Sequence, residues 1–551
     1  MGVRVALILR ESDLEGHGAV RTHWLYNCMD CAITAEVADA LLPLVEADPL
    51  DKRMYEFQLA QQSPAFAMAM RGIAISEEAR SAAVKGQEEV EREAIASLQT
   101  IVAPYWTETE KRSGKCEGNK LHRWPKEDAL AEALPFQSTS DTTPGGGVVC
   151  GTCGKSRLVP KLFNPHSHVQ CRKLLYELMG LKPQKNKQHK VSTDDECLDR
   201  LRRKFGGATA SVVDAILEAR GARKQLGLLR STLDADGRWR SSVNVGAAVT
   251  GRYSSSKSAF WTGGNIQNVA DRSRGMFVAD PGLVLFYADY EKAESEAVAY
   301  DAQDLGYIEA HGAGKDLHTE VAKLFWPDVV SDRVSAELHP PWDDNLGYRD
   351  YAKHIGHGSA IGMSPHGIAR DAHIKLALAK EYQQVFFARH PRVRARQNEI
   401  WAEVVETGQL VSPVGRRRTF LGRLVGDGAR DTRREALAQT QQSMIVDWVG
   451  VALCRIWEEL DGSVELGVVP HSGQPNRAWL LAQVHDAILG MVRWGDDVAL
   501  GRILHLMSFG MNIRGRRMVI PVEILVGRSW KKSEMWKWKP GQPWPKEGEI
   551  A

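Results

Sequence analysis

Two short segments of the chain are apolar at nearly every position and close on an acid. Val284–Asp289 (VLFYAD) and Leu480–Asp486 (LLAQVHD) each predict a buried strand that delivers a carboxylate to its end. The second is followed at once by Ala-Ile-Leu-Gly-Met-Val, a further strand, so His485 and Asp486 fall on a hairpin. Elsewhere the apolar positions recur at helical spacing. Glu77–Leu98 is dense in Ala, Glu and Val with few breakers and predicts a helix. Arg349–Gly362 (RDYAKHIGHGSAIG) sets Arg349, Lys353, Gly356 and Ala360 at i, i+4, i+7 and i+11, which puts Arg349 and Lys353 on one helical face. The glycines at 356, 358 and 362 weaken that helix and point to close packing. Gln137–Gly147 (QSTSDTTPGGG) reads as a loop or linker, and no internal repeat is present.

Composition narrows the class. With 551 residues, 43% hydrophobic and 25% charged, the chain is globular in type, and collagen-like, coiled-coil and wholly disordered readings fall away. At roughly 100 to 200 residues per domain, several subdomains are expected. No stretch approaches the ~18 consecutive apolar residues of a membrane span, and Val5–Leu9 is too short for a signal peptide. The expectation is a soluble, cytoplasmic chain without membrane attachment. Eight cysteines are too sparse for a disulfide framework.

Charge adds more when it is read locally. The total, 71 Lys/Arg against 69 Asp/Glu, does not announce a nucleic-acid binder. Residues 385–434 nevertheless hold eleven arginines against five acids, whereas 286–304 hold six acids against one lysine. Lys182–Lys204 carries eight basic and four acidic residues, with helices expected on either side of a polar loop. Taken alone, Lys182–Lys204 reads as a solvated face of the protein. Two strands that each present an Asp offer the hard oxygen donors Mg2+ prefers, and the stacked cations Arg349 and Lys353 repel unless an anion such as a triphosphate lies against them.

Taken in order, these pieces resemble the family A DNA polymerases. Thr250–Asn268 (TGRYSSSKSAFWTGGNIQN) resembles that family's T-G-R-x-S-S followed by N-L-Q-N, and Asp289–Glu294 (DYEKAE) its motif A. Asp316–Thr319 (DLHT) resembles the D-I-H segment, Arg349–Gly362 motif B, and Gln483–Asp486 (QVHD) motif C. Gly415–Arg418 (GRRR) and Gln442 resemble two smaller signatures, and the likeness spans about 250 to 530 in the family's order. The resemblance implies an α+β, right-hand polymerase fold: a palm of antiparallel sheet with helical fingers and thumb. It divides the chain into 1–107, a degenerate exonuclease-like remnant with lead-in helices; 108–160, an insertion; 161–248, thumb; 249–315, palm; 316–425, fingers; and 426–551, palm and tail.

The resemblance also implies roles. Asp289 and Asp486, with the Tyr290 carbonyl, would hold two Mg2+ ions, for which Mn2+ can substitute. Arg349, Lys353 and His318 would grip the triphosphate of a dNTP, with Lys353 protonating the departing pyrophosphate. His357 and Ile361 would line the nucleotide site, and Glu294 would exclude a 2′-hydroxyl. Arg252, Asn265, Gln267, Arg434, Gln442 and His485 would face primer-template DNA. Four departures bear on this. Ala487 stands where a second acid follows the motif C Asp, His357 replaces an aromatic ring over the incoming base, and Lys292 replaces Gln. Ile361 replaces a Tyr, which removes a hydroxyl partner for Glu294.

The front half resembles the family less. Tyr26–Asp30 (YNCMD) has the spacing of a last exonuclease motif, but the earlier D-x-E motif has no place. The alternative is that both are ordinary helix residues, and in either case no intrinsic proofreading is expected. Tyr55–Ile75 resembles a lead-in helix and Phe163–Leu181 the family's F-N-x-x-S thumb segment. Cys116, His122, Cys150 and Cys153, the last two in a C-x-x-C knuckle, have the ligand types of a structural Zn2+ site, with free thiols in a loop as the alternative. For Cys28 and Cys31 ordinary helix packing is expected. The tail with Trp530, Trp536, Trp538 and Trp544 is expected to cap the palm rather than dock a partner. A template-directed DNA polymerase acting in replication or repair is the leading expectation, in a bacterial or phage-infected cell, with exonuclease or processivity factor supplied separately. The alternatives are a lesion-tolerant gap-filling polymerase, a single-subunit RNA polymerase, and a non-catalytic, polymerase-derived DNA-binding protein.

Overall fold

The computed structural model describes residues 19–106, 108–111, 158–186, 188–312, 315–341, 346–426, 428–462 and 476–546. They form two compact units. The larger takes the described residues up to Ala74, Asp234–Gln267, and those from Val278 on; the smaller takes Ile75–Leu233 and Asn268–Phe277.

The larger unit is built on a five-stranded antiparallel sheet. Its strands are β1 (Leu283–Tyr290), β2 (Ala478–Val484), β3 (Ala487–Arg493), β4 (Val522–Gly527) and β5 (Trp536–Trp538), in the order β2-β3-β1-β4-β5. The central strand explains the unbroken apolar run of the sequence: Val284 to Ala288 are all at most 3% exposed, so both faces of β1 are covered. Side chains alternate along a strand. Val284, Phe286, Ala288 and Tyr290 enter a core with Met444, Trp448 and Ala452 of the helix Ala429–Ile456 and with Leu500, Ile503 and Met507 of Asp497–Met507. Leu285, Tyr287 and Asp289 therefore share the opposite face, and the acid comes at its end.

The tryptophan tail closes this sheet, as expected. Trp530 and Trp538 are buried, β5 pairs with β4, and the indole N–H groups of Trp538 and Trp544 both donate to Oδ1 of Asp497 at 2.8 Å.

After β1 the chain runs into helices: α1 (Ala293–Ala302), α2 (Leu317–Phe325), α3 (Tyr348–Ala360), then Leu376–Arg389 and Pro391–Thr407, and finally α4 (Ala429–Ile456). A second core joins Val321 and Phe325 of α2 to Tyr351 and Ile355 of α3 and to Phe386. Gly356 is the close-packing position the sequence pointed to: a Cβ there would lie 3.0 Å from Cγ1 of Val321.

In the smaller unit the long helix Glu77–Val102 packs along Ala208–Leu229 through Leu98, Val102, Val213 and Ile216. The sequence reading grouped that helix with the lead-in segment; its apolar face instead joins Leu174, Leu175 and Leu198. Among the described residues of Lys182–Lys204, only Asp195–Lys204 is helical, after a loop pinned by a Lys185–Val191 bridge. The helix Ala19–Ala47 carries Tyr26, Cys28, Asp30 and Cys31, all exposed, so the two cysteines do not take the packing role expected of them. Cys116, His122, Cys150 and Cys153, and the whole segment 112–157, lie outside the described residues.

Candidate active site

Asp289 is the penultimate residue of β1, and Asp486 sits in the two-residue turn between β2 and β3. The turn is tight because His485 adopts a left-handed backbone, φ 59°, and the Tyr290 amide donates to the Asp486 carbonyl at 3.4 Å, tying the turn to the end of β1. Burial, reinforced by the nearby Asp289 charge, raises the Asp486 pKa to about 6. Across the sheet Asp289 stands level with Ala487 on one side and Glu523 on the other. Ala487 is fully buried, β3 (AILGMVR) contains no acid, and Glu523 is held by Lys537.

An unforeseen cation completes the cluster. Lys532 Nζ lies 3.2 Å from Oδ2 of Asp289 and 4.3 Å from the centre of the Tyr287 ring. The Tyr290 hydroxyl donates to the Met507 carbonyl at 3.0 Å inside the core, which leaves only the backbone of that residue for the site. Among the described residues no group of three or more His, Cys, Asp and Glu is arranged to hold a metal. Two half-buried carboxylates close enough for the charge of one to raise the pKa of the other supply hard oxygen donors and negative charge that Lys532 offsets only in part, and they fit a divalent cation on those grounds.

A cationic row lies on α2 and α3. Arg349 makes a bidentate pair with Asp316, 2.8 and 2.9 Å, and Asp316 also caps α2 by accepting from the amide and hydroxyl of Thr319. Burial opposes the Asp316 charge, but Arg349 and Thr319 outweigh it and hold the carboxyl well below its usual range. Lys353, one turn on, is exposed. His318 is pushed down to about 4 by burial and then by Arg349, with Lys353 and Lys292 adding to Arg349 and Asp316 opposing it. The expected grip of Arg349, Lys353 and His318 is thus brought together, with Lys292 beside it and Arg349 already held by a carboxylate.

Glu294 is held from two sides. The loss of a Tyr at Ile361 does not leave it without partners: Arg252 donates to its Oε1 at 2.6 Å and His357 Nε2 lies 3.6 Å from its Oε2. Burial lowers the His357 pKa, against the pull of Glu294. Ile361 itself ends α3, its amide donating to the His357 carbonyl at 3.0 Å.

Of the six residues expected to face DNA, three gather. Arg252, Gln267 and His485 line a cavity of about 210 Å3 together with Tyr253, Gln483 and the α4 residues Val446 and Val449. Gln267 Nε2 donates to the carbonyl and side-chain oxygens of Gln483, both at 3.2 Å, a bridge that the motif reading did not assign. Asn265 supports from behind, accepting from Ser255 Oγ at 2.7 Å and from the Gln267 amide at 3.0 Å. Arg434 and Gln442 do not line the cavity. Arg434 is exposed near the start of α4, 3.5 Å from Asp431, and the helix carries it away from Val446 by roughly 18 Å at 1.5 Å per residue. The GRRR signature also holds the fold together, because Arg416 pairs with Asp447 through Nε at 3.2 Å to both oxygens. Its guanidinium fills the space over Gly251, φ 87°, where a Cβ would lie 2.6 Å from Cζ.

A family model described as DNA polymerase family A matches residues 155–532. Similar curated relatives include a thermostable DNA polymerase I of Thermus filiformis, 27% identical over 430 residues, covering 74% of this chain and 45% of that protein. DNA polymerase I of Mycobacterium tuberculosis (strain H37Rv) is 26% identical over 385 residues, covering 68% and 39%. The chain spans less than half the length of these relatives. A solved structure described as the POL domain of Pol1 from M. smegmatis, in complex with DNA primer-template and dNTP, superposes with a TM-score of 0.60 at 22% identity, over 94% of this chain and 77% of that one. The likeness shows the right-hand polymerase fold.

Proposed function

The chain belongs to DNA polymerase family A, and from that membership we propose that it adds dNTPs to the 3′-end of a primer under the direction of a DNA template. The observation that carries this reading is an unbroken sequence of groups acting on one another: Asp289 and Asp486, then Glu294, His357, Lys353, His318, and Arg349 on Asp316. Anionic and cationic halves of one site stand next to each other, as a triphosphate and its cation require. Asp289 and Asp486 would hold divalent cations, for which Mg2+ is our assignment, and a cation bound there would supply positive charge to acidify the primer hydroxyl and steady the leaving oxygen.

The remaining work falls to the chain's own side chains. Arg349, oriented by Asp316, and His318 bind triphosphate oxygens, and Lys353 carries the proton for the departing pyrophosphate. Glu294, fixed by Arg252 and His357, fills the space beside the sugar. Gln267, Gln483 and His485 form a polar floor suited to the minor groove, whose acceptors are nearly alike for every base pair and report pair shape rather than sequence. We assign 249–315 and 426–551 to the palm, 316–425 to the fingers and 161–248 to the thumb, with the basic segments 182–204 and 385–434 following phosphate. We further propose that the chain does not proofread, since Tyr26 and Asp30 are exposed residues of one helix and a single acid cannot hold the metal pair of an exonuclease.

Ala487, buried opposite Asp289, favours a second reading in which DNA is bound but not extended. Primer extension by the wild type and by Asp486→Ala separates the two, with each dNTP, with rNTPs, and with exonuclease scored on the same gel. Extension by neither protein overturns the enzyme reading, and extension by both overturns the site. Degradation of the primer by the wild type overturns the absence of proofreading.

A further inference from the structure

The strand pair Ser241–Asn244 and Ser254–Lys257 is followed by a closed five-residue turn, Ser258–Thr262, that thrusts two adjacent aromatic rings into solvent. Phe260 is 72% and Trp261 80% exposed. Burial cannot account for a conformation that leaves both rings in water, yet the turn is held in detail. The Trp261 amide donates to the Ser258 carbonyl and the Ser258 amide to the Thr262 carbonyl, each at 3.0 Å. Ser258 Oγ meets Thr262 Oγ1 at 2.6 Å and accepts from the Phe260 amide at 3.2 Å, and Thr262 Oγ1 reaches Asp234. Trp261 sits at φ 64°, a region a bulky residue enters only under constraint. The exit is fixed as well, because Gly263, φ 58°, packs so closely on the Arg240 carbonyl that a Cβ would overlap it.

We propose that Phe260 and Trp261 are a stacking platform for the unpaired bases of a single-stranded DNA segment next to the primer-template duplex, an inference that rests on the polymerase reading. Every base has a π-face, so two rigid exposed rings bind single strands without regard to sequence. The setting favours a nucleic acid over a protein partner. Ser254–Gln267 contains no acid and one exposed lysine, Lys257. The same segment continues directly into Asn265 and Gln267, the latter bridged to Gln483 beside the Asp486 turn.

The test is the affinity of full-length wild type and the double variant F260A/W261A for three labelled DNAs: a primer-template with a single-stranded template overhang, the same duplex made blunt, and a free single strand. Fluorescence anisotropy would be followed across a salt series. Loss of the rings should weaken binding to the overhang and the single strand by about tenfold while leaving the blunt duplex unchanged. It should also leave the slope of log Kd against log salt unaltered, because stacking releases no counterions. A second variant, F260Y/W261F, keeps two ring faces and should bind as the wild type does. Both variants change solvent-exposed side chains, and a thermal melt checks that they fold. Equal affinity of wild type and F260A/W261A for all three DNAs overturns the platform and leaves the polymerase reading standing, as does an equal loss on blunt and overhanging DNA. If the wild type binds none of the three, both readings fall.

Discussion

Arg252 and Glu294, 42 residues apart in the chain, are joined by a 2.6 Å ion pair at the mouth of the candidate sugar site. Both are substantially exposed, so the pair contributes about 1 kcal/mol or less to stability, and its consequence lies in where it holds Glu294. Arg252→Ala should release the carboxylate, lowering kcat/KM for dNTPs and raising the ratio of rNTP to dNTP insertion by about tenfold. Single-turnover insertion with paired dNTP and rNTP measures this, and an unchanged ratio would deny the pair any part in sugar selection.

Arg349 should be intolerant of a charge-conserving change. Its two N–H contacts to Asp316 need a planar fork that lysine lacks. Arg349→Lys is expected to lose at least about tenfold in kcat/KM, mostly through the KM for dNTP. Asp316→Asn should show a milder form of the same defect. Steady-state kinetics with saturating primer-template distinguishes the two effects.

Lys532 and a divalent cation contend for the same carboxylate. With its ammonium 3.2 Å from Asp289, Lys532→Ala should tighten Mn2+ binding several-fold and lower the Mg2+ concentration at which extension is half-maximal. Electron paramagnetic resonance of free Mn2+ provides a reading independent of catalysis. An unaltered Mn2+ affinity would leave the contact without electrostatic weight at the site.

Glu296, buried on α1, has its pKa raised to about 7 by burial, with Lys292 opposing. The folded chain therefore keeps a proton that the unfolded chain has released. The stabilisation is complete below about pH 4.5 and is lost as pH rises through about 7, amounting to roughly 3 kcal/mol at 1.36 kcal/mol per pKa unit. Glu296→Gln should raise the melting temperature at pH 8 and change it little at pH 4.5. A shift of equal size at both pH values would assign the effect to packing instead.

Much of the palm was legible because its strands are covered on both faces. That is why Val284–Ala288 reads as a continuous apolar run, and Leu480–Val484 as one broken only at Gln483, and why an acid closing each marks a strand end. The shared face of Arg349 and Lys353 was legible from helical period alone. The contacts that decide what those residues are doing were not. Lys532 meets Asp289 across 243 residues, Asp316 meets Arg349 across 33, and no periodicity encodes a return of that kind. Motif reading also gives each residue one role, so it sent Arg252 to DNA and missed its hold on Glu294. Arg434 stands apart from that cavity because a continuous helix carries it away from Val446 and Val449, which line it.

Asp316 caps α2 and clamps Arg349 of α3 with one carboxylate, while Gly356 lets α3 lie almost against Val321. The two helices are therefore geared together. A swing of α3 that carries Arg349 toward a triphosphate must either take α2 with it or break two charged hydrogen bonds at once. A joint movement of the pair keeps both of those bonds, whereas a movement of α3 alone loses them.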